Sequence, residues 1–265
     1  MNWNHKLVFL NMFGKNCFNK ILWNRVLHTS VSLMVLWTVV WALLLPYNVP
    51  EHLINHKIMI HIWPLRFYLF CFWAAVIQFF YFGLNSAIDV IEIYGENSPY
   101  YKFKQALHSV ESYLLFSLVF PVSLQECVLF WSFYFWDREH FYPIEFDEFI
   151  PSLFNHVLHT FPFPLSVVYM LMSNQKVPSL RVTLPGLLVF QAIYAYFFID
   201  LRITKGIWVY VVFDKIELTN EILLKIILGL AFTMSVPFLL LGYKLNRLKN
   251  VLKKHLATVV FITSN

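Results

Sequence analysis

The sequence predicts an all-α polytopic membrane protein, with about six transmembrane helices and both termini in the cytosol. Three observations predict it. Hydrophobic residues make up 59% of the chain and charged residues only 13%. The apolar residues gather into runs of about eighteen or more, long enough to cross a hydrocarbon core of about 30 Å. Most of the basic residues fall on the termini and on alternate connections between those runs. A backbone in lipid must satisfy its own hydrogen bonds, so such runs form helices, and the connections are too short to hold a separate soluble domain.

Residues 1–28 read as a cytosolic arm in which Lys6, Lys15, Lys20 and Arg25 alternate with Leu7, Leu10, Phe13, Phe18, Ile21 and Trp23. That mixture suits an amphipathic helix lying in the interface and drawn to anionic lipid. No small-residue cleavage site follows a compact apolar stretch, so a cleaved signal peptide is not expected. The spans are expected at 29–47, 67–91, 111–136, 150–172, 184–201 and 222–243, in one membrane domain covering 29–243, with a basic cytosolic tail over 244–265. Pro46 and Pro50, Pro99, Pro143 and Pro178 punctuate the connections. Pro162 and Pro164 fall inside the fourth span and are expected to kink it.

The net charge of +5 is a topology signal rather than a nucleic-acid footprint. The arm, the second loop (Lys102, Lys104), the fourth (Lys176, Arg181) and the tail (Lys244, Arg247, Lys249, Lys253, Lys254) carry thirteen of the twenty basic residues. The third loop instead holds Glu139, Glu145, Asp147 and Glu148, with Arg138 as its one arginine. By the positive-inside rule the basic side is cytosolic. The composition fits an endomembrane such as the endoplasmic reticulum as well as the plasma membrane.

Within the spans the polar residues are the candidates for chemistry, because ionisable groups are costly in hydrocarbon and face a bundle interior or cavity. Asn155, His156 and His159 lie in the fourth span, with Asn155 and His159 stacked one turn apart and His156 one turn before Thr160. Glu126 follows Gln125 in the third span. Gln78 and Asn85 in the second span read as helix-packing hydrogen bonders, and Asp137-Arg138 as a structural ion pair at the membrane boundary. Three cysteines, Cys17, Cys71 and Cys127, imply neither a disulfide framework nor a metal site, and a buried cysteine is by default a small hydrophobe. Counting 1.5 Å per residue from the non-cytosolic side places Cys71 about 8 Å deep, His159 about 12 Å and Cys127 about 13 Å. Depth alone permits a Cys71–His159 pair and equally a Cys71–Cys127 contact.

Trp136-Asp137-Arg138-Glu139, Tyr142-Pro143, Phe149-Ile150-Pro151 and Asn155-His156-x-x-His159-Thr160 together resemble the androgen-induced-gene protein family. Pro178-Ser179 and Gly206-x-Trp208-Val209-Tyr210 extend the likeness, which runs from the second span to the sixth. The resemblance implies a multi-pass membrane hydrolase of fatty-acid esters of hydroxy fatty acids, a carboxylic ester hydrolase working with a threonine nucleophile and a histidine. The family's histidine corresponds to His159. Its threonine position, aligned on Gln78 and Gly83, is occupied here by Cys71, and no Ser or Thr stands between Leu53 and Asn85.

A thiol is a competent acyl-transfer nucleophile, activated by a neighbouring imidazole more easily than a hydroxyl is. The expected catalytic pair is therefore Cys71 and His159, with Asn155, His156 and Glu126 as supporting residues. Asn155 is expected to hydrogen-bond across helices or to orient His159 from one turn away, and His156 to be an interhelical histidine. The expected partners are the bilayer and a lipid ester; no cofactor, metal or nucleic acid is expected. A non-catalytic regulatory or scaffold protein of the same fold, and a small transporter or receptor with Glu126, His156 and His159 as a polar pathway, are the rival readings.

Overall fold

The computed structural model describes residues 25–40, 43–44, 49–55, 64–95, 99–173, 176–215 and 220–264. Among them the chain is all-α, and its ordered elements are helices and short helical turns. The main helices are α1 (Arg25–Val40), α2 (Phe70–Tyr94), α3 (Tyr101–Trp136), α4 (Ser152–His159), α5 (Pro162–Met172), α6 (Leu180–Lys205) and α7 (Asn220–Ser264). Three of these, α2, α3 and α6, are long and apolar enough to cross a membrane by length and composition; α1 and α5 are shorter apolar helices. Residues 1–24, which include most of the expected interfacial arm, lie outside the described residues.

Two expected boundaries move. The second span does not run as one helix from Arg66: a short 3₁₀ turn at Arg66–Tyr68 gives way at Leu69 to extended backbone, and α2 starts at Phe70. Cys71 therefore stands in the first helical turn instead of one turn and a half inside a continuous helix. At the other end of the chain, residues 244–264 do not leave the sixth helix. They continue it, so that α7 has 45 residues, about 68 Å at 1.5 Å per residue. Lys249, buried on this extension, donates to the carbonyls of Met170 and Ser173 at 2.9 Å each, closing the C-terminal end of α5. Burial and the neighbouring Lys253 hold its ammonium below the ordinary lysine range.

Helix α3 is the spine. It contains a π-turn at Leu115–Val119 just before Pro121, which is where a proline ring would meet the carbonyl four residues back in a regular α-helix. On this turn Ser117 donates to the Thr183 carbonyl at 3.0 Å. Two glycines let neighbours come close to it. A Cβ added at Gly186 of α6 would meet Ser117 Oγ at 2.6 Å, and one at Gly242 of α7 would meet the Phe120 ring at 3.0 Å, the small-residue contact typical of membrane helices. The largest buried cluster gathers Val31 and Val35 of α1, Tyr81 and Phe82 of α2, Leu115, Phe116, Val119, Phe120 and Leu124 of α3, and Tyr169 and Met170 of α5. Exposed leucines, isoleucines, valines and aromatics cover the outside of the helices, the inverse of a soluble domain and the pattern of a lipid-facing surface.

The fourth expected span is a pair of helices. α4 ends at His159, and both Thr160 N–H and Phe161 N–H reach back to the His156 carbonyl at 2.9 Å before α5 begins at Pro162. The expected kink is thus a full break. Pro162 and Pro164 bring no N–H, which removes the usual helical donors for the carbonyls of Leu158 and Thr160.

Candidate active site

The break leaves His159 on the last residue of α4, with its side chain turned into the bundle and only 7% exposed. Its Nδ1 shares a hydrogen bond with Glu126 Oε1 of α3, a carboxylate 3% exposed. Phe130, one turn after Glu126 on α3, lies flat against the imidazole, with ring centroids 3.5 Å apart and planes within 11°. The ring is thus fixed at one nitrogen and on one face, and Nε2 is the nitrogen left for other work. The second oxygen of Glu126 has no hydrogen-bond partner among the described residues.

Cys71 comes to the same place from the start of α2. Its thiol is free and lies within electrostatic reach of the Glu126 carboxylate. The residue as a whole is half-buried. No hydrogen bond joins Cys71 to His159 among the described residues; the two meet around Glu126. Cys127 is also a free thiol, and no disulfide joins it to Cys71.

The other expected members divide. His156 points elsewhere, hydrogen-bonded to Thr160 Oγ1 at 3.0 Å and stacked beside Trp131, which itself donates to Thr160 at 3.2 Å. Asn155 is buried with its carbonyl oxygen unpartnered, so the expected cross-helix hydrogen bond is not formed through that atom. Gln78 does bond across helices, weakly, to Ser123 at 3.5 Å, whereas Asn85 returns to the Tyr81 carbonyl of its own helix at 2.8 Å. The Asp137-Arg138 pair needs a larger correction. Arg138 turns away to Asp147, which raises the guanidinium further above its ordinary value, and Asp137 caps the next helical turn and meets His140 at 3.1 Å. Adjacent residues at a helix terminus point in different directions, and the 3₁₀ turn at Ile144–Glu148 brings the more distant carboxylate round.

Two tyrosines that composition could not single out complete the cluster. The segment after α6 folds back into the bundle, with Trp208 and Val209 buried against Leu65, Phe198 and Leu201. Gly206 makes this return with a left-handed φ of +69°, and Arg202 covers the Trp208 ring. Tyr210 is thereby carried to the start of α2, where its hydroxyl accepts the Phe70 N–H at 3.0 Å, one residue from the thiol. Tyr194 of α6 lies beside it and donates to the Tyr68 carbonyl at 3.2 Å. Beneath them Gln191 donates to Gln125 at 2.6 Å. The one sequence signal for Tyr210 was its place in the Gly206-x-Trp208-Val209-Tyr210 stretch.

Comparison with known proteins places the chain in a family. The family model described as FAR-17a/AIG1-like protein matches residues 30–247, the greater part of the chain. The chain belongs to the FAR-17a/AIG1-like family. Among its relatives in this family, the human androgen-dependent TFPI-regulating protein is 29% identical over 174 residues, which is 66% of this chain and 73% of that protein. The mouse protein of the same name is 29% identical over 175 residues, again 66% of this chain and 73% of the relative. The human androgen-induced gene 1 protein is 30% identical over 138 residues, 51% of this chain and 58% of the relative. No solved structure matches. Family membership accords with the apolar helices in making this a membrane protein; the matched region contains every residue of the cluster around Glu126.

Proposed function

We propose that the chain hydrolyses apolar carboxylic esters within the membrane, fatty-acid esters of hydroxy fatty acids being the substrate class, with Cys71 as nucleophile, His159 as base and Glu126 as the group that orients the base. The observation that carries this reading is the buried Glu126–His159 hydrogen bond beside a free thiol. A carboxylate, an imidazole and a nucleophile from three different helices form the usual plan of acyl transfer. Glu126 holds the proton on Nδ1, leaving Nε2 bare to take the thiol proton as sulfur attacks the ester carbonyl. The alcohol then leaves with that proton, a thioester remains on Cys71, and water activated by His159 releases the acid. Catalytic hydrogen bonds are commonly loose before substrate binds, so the absence of a direct Cys71–His159 bond fits a resting site.

With about six spans and cytosolic termini, the cluster lies toward the non-cytosolic side, open to a substrate that partitions into lipid. A second reading is favoured by one observation, the cysteine at the family's threonine position: a family member that kept the fold and lost turnover to serve as a regulatory or scaffold protein. One experiment separates the two. The protein is reconstituted in membranes and given an ester of a hydroxy fatty acid, as wild type and as Cys71→Ala, Cys71→Thr and His159→Ala. The enzyme reading requires turnover by the wild type, its loss in both alanine variants and its retention with threonine. Absence of turnover in wild-type protein that is folded and has a free Cys71 supports the non-catalytic reading.

A further inference from the structure

We infer that Tyr210 is a catalytic residue of this site, the hydrogen-bond donor that stabilises the oxyanion formed when Cys71 attacks an ester carbonyl. The inference rests on the acyl-transfer reading above and goes beyond it, since the nucleophile, the base and its orienting carboxylate account for proton movement but leave the developing negative charge without a partner. In acyl transfer that partner is commonly the largest single contributor to rate.

Tyr210 is placed for this by its backbone return and by hydrogen bonds to its hydroxyl oxygen. Its hydroxyl oxygen accepts the Phe70 N–H at 3.0 Å, which fixes it beside the residue that bears the thiol. The Tyr194 hydroxyl also hydrogen-bonds to it, and toward both neighbours the Tyr210 oxygen is the acceptor, so its own hydroxyl proton remains to be given. Tyr194, its neighbour, shares its proton between the Tyr68 carbonyl at 3.2 Å and the Tyr210 oxygen, and so holds that oxygen in place without competing for the same acceptor. The ring of Tyr210 is held by Phe141, stacked at 5.6 Å, and by Phe198 and Phe213. The hydroxyl is also within electrostatic reach of both Cys71 and Glu126. An oxyanion donor must be rigid before the reaction and apart from the proton-transfer chain. Tyr210, on a different segment from Cys71, Glu126 and His159, meets both conditions.

The step is balanced as follows. The C–S bond forms as the carbonyl π pair moves onto oxygen; that oxygen accepts the Tyr210 O–H as a hydrogen bond; the thiol proton passes to His159. Collapse re-forms the carbonyl, breaks the C–O bond to the alcohol and returns the proton from His159 to the leaving oxygen. Tyr210 keeps its proton throughout.

The test uses the full chain in lipid nanodiscs and two reagents on the same thiol. p-Nitrophenyl laurate acylates Cys71 through an oxyanion; iodoacetamide alkylates it by direct displacement, with no oxyanion to stabilise. Both rates are read at Cys71 by peptide mass. For Tyr210→Phe the expected result is acylation slowed by about 100-fold with alkylation changed by less than threefold, and Tyr210→His, which restores a donor, recovers part of the acylation rate. Equal acylation by wild type and Tyr210→Phe overturns the inference while leaving the nucleophile intact. So does a parallel fall in both rates, which marks a structural role. If wild-type Cys71 is alkylated but never acylated, the acyl-transfer reading fails, and the inference fails with it.

Discussion

Glu126→Gln is the most demanding substitution for the proposed chemistry, because it changes almost no volume and removes only charge. In the native site one carboxylate oxygen bonds His159 Nδ1 and the other has no partner among the described residues. A glutamine can offer its carbonyl to the imidazole, placing an amide NH₂ where Oε2 had no donor to accept from and now no acceptor to give to. It can instead offer the NH₂, forcing the imidazole proton onto Nε2 and disabling the base. Either way a buried charge-assisted hydrogen bond is lost, a contribution of about 1.5–3 kcal/mol. At about 1.36 kcal/mol per decade of rate, kcat falls about 10- to 150-fold. The assay is initial-rate hydrolysis of a hydroxy-fatty-acid ester in proteoliposomes, normalised to folded protein. The KM should move little, since Glu126 touches the base and not the acyl chain. A Glu126→Gln protein that keeps kcat within threefold of wild type would refute the idea that this carboxylate orients His159.

Other perturbations test the frame around the site. Lys249→Met removes the donor that closes α5 through the Met170 and Ser173 carbonyls; the melting temperature should fall by several degrees, a loss of about 1–3 kcal/mol, and an unchanged melting curve would show that the contact contributes nothing. Gly206→Ala places a Cβ at a φ of +69° and should cost about 1 kcal/mol, seen as faster proteolysis of the segment carrying Trp208 and Tyr210. Arg138→Ala breaks an ion pair that is largely exposed, so thermal stability should change by less than about 1 kcal/mol and ester hydrolysis by less than twofold. Gly186→Val pushes α6 off the π-turn of α3 at Ser117 and should lower the yield of folded protein in detergent, measured by size-exclusion chromatography.

The helices were legible in the sequence because hydrocarbon allows little else: a run of apolar residues with its charges at the ends has one low-energy conformation. The proline pair in the fourth span was legible too, although not that it would end one helix at His159 and start another. His159 and Glu126 stood out singly, each an expensive residue at its depth. Their pairing did not, because nothing local in two separate spans specifies which faces meet. Tyr210 was less legible for a different reason. Aromatics are 19% of the chain, so one more tyrosine carries little information, and its position depends on a loop returning over sequence-distant Leu65 and Phe70. The continuation of α7 past Tyr243 was hidden by charge: Lys244, Arg247 and Lys249 read as the edge of a membrane span, yet lysine and arginine favour helix once out of lipid.

The two prolines behind His159 matter for a reason separate from bending. The proposed hydrolysis consumes water, which is scarce within a bilayer. Pro162 and Pro164 strip the usual helical donors from the Leu158 and Thr160 carbonyls, two strong acceptors within about one turn of the imidazole. Such oxygens need another donor, and water bound there would stand ready for the second half of the proposed reaction. The break in the fourth span would then act as a reservoir, supplying the co-substrate that the surrounding lipid withholds.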